Sequence, residues 1–317
     1  MKILYKYLPD TFSLENHITS PSIKLSSITD LNDPFEGQMT KNALDIIYKK
    51  MLRQAEKSNE IPKNSIYRES KEIFSYAWDF LLKTICITSL SETQRNLLMW
   101  SHYASQHKGV CIGYDADMLS EEKEHYELKK VNYDTTIFDP EFLNDFENIT
   151  DILSSDVNPF LDRLVTTKSN DWSYEKEHRY ISNAESASKI IINNTIKNLC
   201  PPSKDAFRLI KLHKTHDIIE KDGRIELRSK RKPENTNVPQ KNIFEIEAIL
   251  TNTEDVLLFK DIKKENIKRI YFGMFYDEEK IDPILDKIKS DPELSHISVY
   301  KYEISDERYE LNPVKLM

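Results

Sequence analysis

Short apolar runs of strand length alternate irregularly with segments of helical periodicity along this chain, and this irregular order constrains the fold most. Regular alternation would favour a parallel sheet with crossover helices, whereas irregular spacing favours an α+β fold. The sequence therefore predicts a mixed, mainly antiparallel sheet with inserted helices. Predicted strands cover residues 3–7, 23–26, 84–89, 110–114, 125–133, 172–181, 244–250, 269–272 and 297–304. Predicted helices cover residues 13–19, 41–57, 66–83, 97–105, 140–167, 204–214 and 278–290.

The length permits one elaborated domain or two ordinary ones, and no linker composition forces a division. We therefore predict one domain over residues 1–317, with a helical insertion at about 41–83 and a polar insertion at about 186–242. Hydrophobic residues make up 39% of the chain, which is enough for a true core. No apolar run approaches the roughly 20 residues of a membrane span, and no cleavable signal is recognisable. We therefore expect a cytoplasmic protein that makes no membrane contact.

Charge and cysteine content exclude several classes of partner. A net charge of −8 argues against bulk binding of nucleic acid, which usually requires a basic surplus. The basic run 228–232 lies in a polar stretch and reads as a solvated loop. The three cysteines, Cys86, Cys111 and Cys200, have no CxxC spacing, so neither a disulfide framework nor a zinc site is predicted.

Glycine is scarce, with five residues in the whole chain, and this scarcity restricts how a nucleotide could be bound. None of the glycines forms the GxGxxG or GxxxxGK[ST] pattern that cradles phosphates at a helix N-terminus. Any nucleotide must therefore be held in another way.

The stretch from Trp172 to Ile181, which reads WSYEKEHRYI, carries the strongest chemical signal. In a strand, alternation would place Glu175, Glu177 and Arg179 on one face. Neighbouring carboxylates repel each other, and a strand tolerates this repulsion only if the face is exposed to solvent, ion-paired or part of a functional site. Glu175 and Glu177 are therefore the candidate catalytic residues. The alternative is a surface ladder in which Arg179 and Lys176 neutralise them.

Three segments follow one another along the chain: a basic and aromatic strand at 5–7, a Ser/Thr strand ending at Ser89, and the strand with Glu175 and Glu177. This order resembles that of the signature elements of ADP-ribosyltransferases, and it implies an ADP-ribosyltransferase-like core. Over most of its length the chain also resembles a bacterial family known only as a domain of unknown function. That resemblance is carried by NDPFE (32–36), LMWSHYA (98–104), HKGVCIGYD (107–115), WSYEKEHR (172–179) and IYFG (270–273).

The transferase resemblance implies that NAD is the substrate and that its nicotinamide–ribose bond is cleaved. Glu177 would stabilise the oxocarbenium-like transition state, and Glu175 would orient or deprotonate the acceptor. The acceptor would be a macromolecule, protein or RNA, and the protein could act as a toxin or an antiviral defence effector. Residues proposed to contact the dinucleotide are Lys6, Tyr7, Asn32, Ser89, Trp100, Tyr103 and Arg179.

Some of these assignments have plain structural alternatives. Lys6 departs from the resemblance, because related enzymes use Arg or His there and Lys cannot form a bidentate fork. Trp100 and Tyr103 could be core aromatics instead of nicotinamide contacts. Asn32 could belong to a turn with Asx capping.

Two other functions remain open from sequence. One is a metal-dependent nuclease that uses Asp171, Glu175 and Glu177, although such sites usually also need a Lys two residues after an acid, where this chain has Glu177. The other is a ligand-sensing module without catalytic activity.

Overall fold

The computed structural model describes residues 2–58, 71–119, 127–137, 143, 159–221, 223–230, 240–253 and 255–317. These residues form an α+β fold with a mixed, mostly antiparallel sheet, as the sequence predicts. The strands are β1 (Ile3–Leu8), β2 (Ser22–Ser27), β3 (Ile85–Ser91), β4 (Val110–Asp115), β5 (Glu127–Lys130), β6 (Asn132–Asp134), β7 (Thr167–Ser169), β8 (Glu177–Asn183), β9 (Lys189–Ile192), β10 (His216–Lys221), β11 (Arg224–Ser229), β12 (Val256–Asp261), β13 (Ile267–Phe272), β14 (Ser298–Ile304) and β15 (Leu311–Lys315). The helices are α1 (Leu14–Thr19), α2 (Lys41–Ser58), α3 (Lys71–Thr84), α4 (Leu97–Tyr103), α5 (Pro159–Thr166), α6 (Pro201–His213), α7 (Gln240–Thr251) and α8 (Ile281–Ser290).

Strand β3 is the branch point of the sheet, which contains thirteen of the described strands. It pairs with β8 along its full length, so that Ser89 faces Arg179 and Ser91 faces Glu177. It also pairs with β2 near its start and with β1 at Ser91, opposite Tyr5. From β1 the sheet continues through β4, β13, β14 and β15, and from β2 through β12, β9, β11 and β10. The two halves of the sheet therefore separate along β3.

One face of the sheet carries the largest core. Leu4, Ile112, Tyr180 and Ile270 come from four different strands and are buried together, with residues of α1 and α8 packed over them. Burial of each large aliphatic or aromatic side chain contributes roughly 1.5–3 kcal/mol. The same core contains strand residues from both halves of the sheet, among them Ile190 of β9 and Ile270 of β13.

The opposite face carries two smaller apolar clusters. Tyr5, Trp100 and Tyr271 belong to the cluster in which α4 packs on the sheet, and Ile47 and Ile87 belong to the cluster in which α2 and α3 pack on it. Ser89, Ser91, Glu177 and Arg179 share this face, because cross-strand partners point the same way. Polar side chains thus occupy the strip of sheet between two apolar clusters.

Three predicted strands differ from the structure. The described part of the strand predicted at 125–133 divides into β5 and β6, which belong to different sheets. The strand predicted at 244–250 is wrong, since α7 covers this stretch and buries Ile246 and Leu250, four residues apart, on one helical face. The strand predicted at 172–181 is wrong in its first half, because residues 170–175 form a 3₁₀ helix and the strand begins at Glu177.

Several predicted ranges extend beyond the described residues. Residues 66–70, 125–126, 140–142 and 144–158 of the predicted elements lie outside the part that the structure describes. None of the described helices has the length and apolar character needed to cross a membrane.

Candidate functional site

A cavity of about 360 Å³ opens where the two halves of the sheet separate along β3. Ligand pockets typically enclose about 300–1,000 Å³, so this volume suits a small molecule or one end of a larger one. The cavity brings together most of the residues that the sequence singled out. Its lining includes Tyr5, Lys6, Tyr7, Asn32, Glu36, Ser89, Ser91, Tyr103, Lys168, Glu175 and Glu177.

The two glutamates reach the cavity through a tight turn. Glu175 ends the 3₁₀ helix, Lys176 adopts a left-handed conformation with φ 47°, and Glu177 starts β8. The turn is tied to the end of β3, because the Ser91 hydroxyl donates to the carbonyl of Glu175 at 2.6 Å. Asn96, which caps α4, donates through its amide to the carbonyl of Tyr174 at 2.8 Å. These bonds fix the direction in which both carboxylates point.

Glu177 is buried and held by two cations. Arg179 donates to both of its oxygens, with Nε–Oε1 at 2.8 Å and Nη2–Oε2 at 3.1 Å, and Lys168 Nζ lies 3.4 Å from Oε2. Although burial opposes ionisation, Arg179 and Lys168 lower the pKa of Glu177 to about 2. Glu177 is therefore a carboxylate at neutral pH.

Glu175 is also buried, and its surroundings differ. Burial raises the pKa of Glu175 above its usual range, while Lys168 at 2.7 Å and the Tyr103 hydroxyl at 2.5 Å partly oppose this rise. Tyr103 donates to Glu175 Oε1 and accepts from the side-chain amide of Asn32 at 2.6 Å. Two carboxylates with pKa values shifted in opposite directions suit different roles, one as a permanent anion and one as a base.

The predicted dinucleotide contacts fall into two groups. Lys6, Tyr7, Asn32, Ser89 and Tyr103 line the cavity, together with both glutamates. Lys6 donates to the carbonyl of Ser89 at 3.0 Å, and burial lowers its pKa to about 8 against the attraction of Glu177. The Tyr7 hydroxyl donates to the carbonyl of Thr93 at 2.8 Å.

Trp100 and Arg179 occupy enclosed positions instead. Trp100 is fully buried and its indole N–H donates to the carbonyl of Gln94, which agrees with its alternative interpretation as a core aromatic. Arg179 is also fully buried, and in addition to Glu177 it contacts Glu36 at 2.5 Å and the carbonyl of Val165 at 2.6 Å. A pyrophosphate contact would require its guanidinium to leave both carboxylates.

Sequence reasoning missed two members of the site, Glu36 and Lys168. Lys168 Nζ lies 3.2 Å from Glu36, 2.7 Å from Glu175 and 3.4 Å from Glu177. The alternative interpretation assigns the neutralising role to Lys176, but Lys176 is exposed and Lys168 occupies that place. Glu36 was visible as the last residue of NDPFE, whereas no local pattern pointed to Lys168.

The residues of the nuclease alternative do not converge in the same way. Asp171 is exposed, and its carboxylate contacts the Ser169 hydroxyl at 3.3 Å. Within the part of the chain that the structure describes, no group of three or more His, Cys, Asp or Glu residues is arranged to hold a metal ion.

Comparison with known proteins adds one match. Residues 99–180 match the family model described as "Protein of unknown function (DUF2971)", which supports a relationship to a family of uncharacterised domains. The matched segment contains most of α4 together with Lys168, Glu175, Glu177 and Arg179, and so includes most of the charged site. No curated protein and no solved structure matches the chain.

Proposed function

We propose that the protein is an ADP-ribosyltransferase-like enzyme that binds NAD in the cavity and cleaves its nicotinamide–ribose bond. The observation that carries the proposal is the meeting of Lys6, Ser89 and Glu177 at one cavity from three strands that are paired in the order β1, β3 and β8. These strands hold the three signature segments of the sequence resemblance. The structure supports their adjacency, and the chemistry of the residues supports the reaction.

Glu177 has the properties that bond cleavage needs. The departing nicotinamide leaves positive charge on the ribose, and a fixed anion next to that position stabilises the transition state more than the ground state. Arg179 and Lys168 hold Glu177 ionised, and the Ser89 hydroxyl also hydrogen-bonds this carboxylate. A carboxylate offers about four acceptor positions, so a ribose hydroxyl would bind by taking the place of the neutral Ser89 hydroxyl.

Glu175 suits the role of base toward the acceptor. Its pKa is raised by burial, and a base is most effective when its pKa lies near the working pH. The hydroxyl of Tyr103 fixes one of its oxygens, so the carboxylate has a defined orientation toward the cavity. We propose a protein or RNA acceptor in the cytoplasm, and a toxin-like or antiviral defence role for the modification.

The direct test is nicotinamide release from NAD, measured by chromatography without added metal. We expect Glu177→Gln to lower the rate by about 100- to 1,000-fold, the range for loss of one electrostatic stabiliser of a transition state. Asp171→Asn is the matched control, because it also removes one carboxylate from this segment but at an exposed position. Thermal melting of both variants separates loss of chemistry from loss of fold.

The outcomes discriminate among the functions. The proposal is supported if the protein releases nicotinamide, if Glu177→Gln abolishes this release and if Asp171→Asn does not. The nuclease alternative is favoured instead if the protein cleaves nucleic acid, if a chelator stops this cleavage and if both variants abolish it. Biological activity retained in a Glu175→Gln/Glu177→Gln double variant would favour ligand sensing. Incubation of cell lysate with labelled NAD then identifies whether protein or RNA becomes labelled.

A further inference from the structure

Lys168 occupies the centre of the charged site, although no local sequence pattern singles it out. It is the middle residue of β7, and its side chain is 3% exposed. Its ammonium group lies within 3.4 Å of the carboxylates of Glu36, Glu175 and Glu177. The ammonium group also lies 4.6 Å from the centre of the Trp172 ring, a favourable cation–π distance. One buried cation therefore contacts three acids.

The charge balance explains why this position matters. Glu36, Glu175 and Glu177 would carry three negative charges, and Lys168 and Arg179 carry two positive charges. Arg179 contacts Glu36 and Glu177, so among the ion pairs of the described residues Glu175 has Lys168 as its partner. Without Lys168, Glu175 would be a buried carboxylate next to a second carboxylate, and its pKa would rise further above the usual range.

We infer that Lys168 is the positioning residue of the site: it keeps Glu175 and Glu177 ionised side by side at the cavity wall and fixes the orientation of Glu175. This inference rests on the proposed function for its catalytic consequence, because Glu175 acts as a base only when it is ionised. Its electrostatic consequence is independent of any substrate.

The other groups that face Lys168 do not replace it. Tyr133 of β6 accepts the backbone N–H of Glu177 at 2.8 Å, and Tyr103 of α4 donates to Glu175. Tyr174 precedes Glu175 in the turn and feels its charge. All three are phenols whose pKa values are raised by burial, so they stay neutral and supply no positive charge.

The decisive measurement is the titration of the glutamate carboxyl carbons by NMR, in protein labelled with [5-¹³C]glutamate. Resonances of Glu175 and Glu177 are identified by their disappearance in the Glu175→Gln and Glu177→Gln variants. In Lys168→Met we expect the titration midpoint of Glu175 to rise by at least about one pH unit, since an opposite charge within 4–6 Å shifts a carboxyl pKa by about 1–3 units. In Lys168→Arg, which keeps the charge, we expect a midpoint close to that of the unaltered protein.

Kinetics give a second readout. At pH 7 the kcat for transfer should fall by about 100-fold in Lys168→Met, the typical contribution of a positioned base, with a much smaller change in KM for NAD. The acidic limb of the pH–rate profile should move upward with the Glu175 midpoint, and Lys168→Arg should restore it. A residue that only supported the fold would lower the melting temperature without moving this limb.

The possible outcomes are separable. An unchanged Glu175 midpoint in folded Lys168→Met would overturn the inference. If Lys168→Met does not fold, the Glu36→Gln variant is used instead. It removes one of the three carboxylates that share Lys168, so the titration midpoint of Glu175 should fall. An unchanged midpoint would again overturn the inference. If the unaltered protein releases no nicotinamide, the proposed function fails, while the titration still decides the role of Lys168.

Discussion

Replacement of Arg179 by methionine tests the physical basis of the site most directly. The guanidinium is fully buried, and it binds both oxygens of Glu177, one oxygen of Glu36 and the carbonyl of Val165. Methionine fills similar space without charge. Among the ion pairs of the described residues, it would leave Glu36 and Glu177 paired with Lys168, and it would remove this donor from the carbonyl of Val165.

The expected magnitude follows from burial. Removing one partner of a buried ion pair costs about 3–5 kcal/mol in the free energy of unfolding, because the other partner keeps its desolvation penalty. The pKa of Glu177 gives a similar value for this free energy. A drop from 4.5 to about 2 corresponds to stabilisation on the order of 3 kcal/mol at neutral pH. Because this pKa is depressed in the folded state, the contribution is complete above pH 4.5 and is lost as the pH falls toward 2.

The assay is urea unfolding followed by far-UV circular dichroism at pH 7 and at pH 3. The loss caused by Arg179→Met should be about 3–5 kcal/mol at pH 7 and clearly smaller at pH 3. Arg208→Met is the control, since Arg208 is 80% exposed and pairs with Asp205 at 3.0 Å. Exposed pairs contribute about 0–1 kcal/mol. This reasoning would be refuted if both variants lost the same free energy of unfolding, or if the loss in Arg179→Met did not depend on pH.

Three further results are expected. Trp100→Ala should lower the free energy of unfolding by about 3–5 kcal/mol, because the indole is fully buried; a loss below about 1 kcal/mol in urea unfolding would contradict that packing. Because the pKa of Lys6 is lowered to about 8, its ammonium should lose its proton between pH 7 and 9. Calorimetric affinity for NAD should fall over the same range, and Lys6→Arg should abolish that dependence. Tyr103→Phe removes a hydrogen bond to ionised Glu175 and should raise its titration midpoint by about one pH unit, whereas a downward shift would exclude the bond.

Much of the fold could be predicted from sequence because its strands are short and strongly patterned. The predicted strands at 3–7 and 110–114 match β1 and β4, where apolar and β-branched residues alternate or run together. Strands β7, β9 to β12 and β15 were not predicted as strands, and two of the failures have different causes. The run 256–261 has strand composition and could have been identified, whereas 244–250 is ambiguous because short apolar runs suit a buried helix equally well.

The candidate site was only partly predictable. The spacing of Glu175 and Glu177 indicates the right segment. The two side chains converge because Lys176 between them has a positive φ, and a lysine at such a position gives no sequence signal of the kind that glycine or asparagine would give. Glu36 and Lys168 join the site through tertiary contacts between segments that lie far apart in the chain. Periodicity within a window of residues carries no information about such contacts.

The ion network connects the loop before α2 with residues 168–179, and this connection has a consequence for biosynthesis. When the ribosome has released Glu36, the lysine and arginine that complete the charge balance have not yet been synthesised. The carboxylates can be brought together only after both distant segments are present and docked. The charge-balanced site would therefore form late in synthesis, and chains that end before Arg179 would not assemble it.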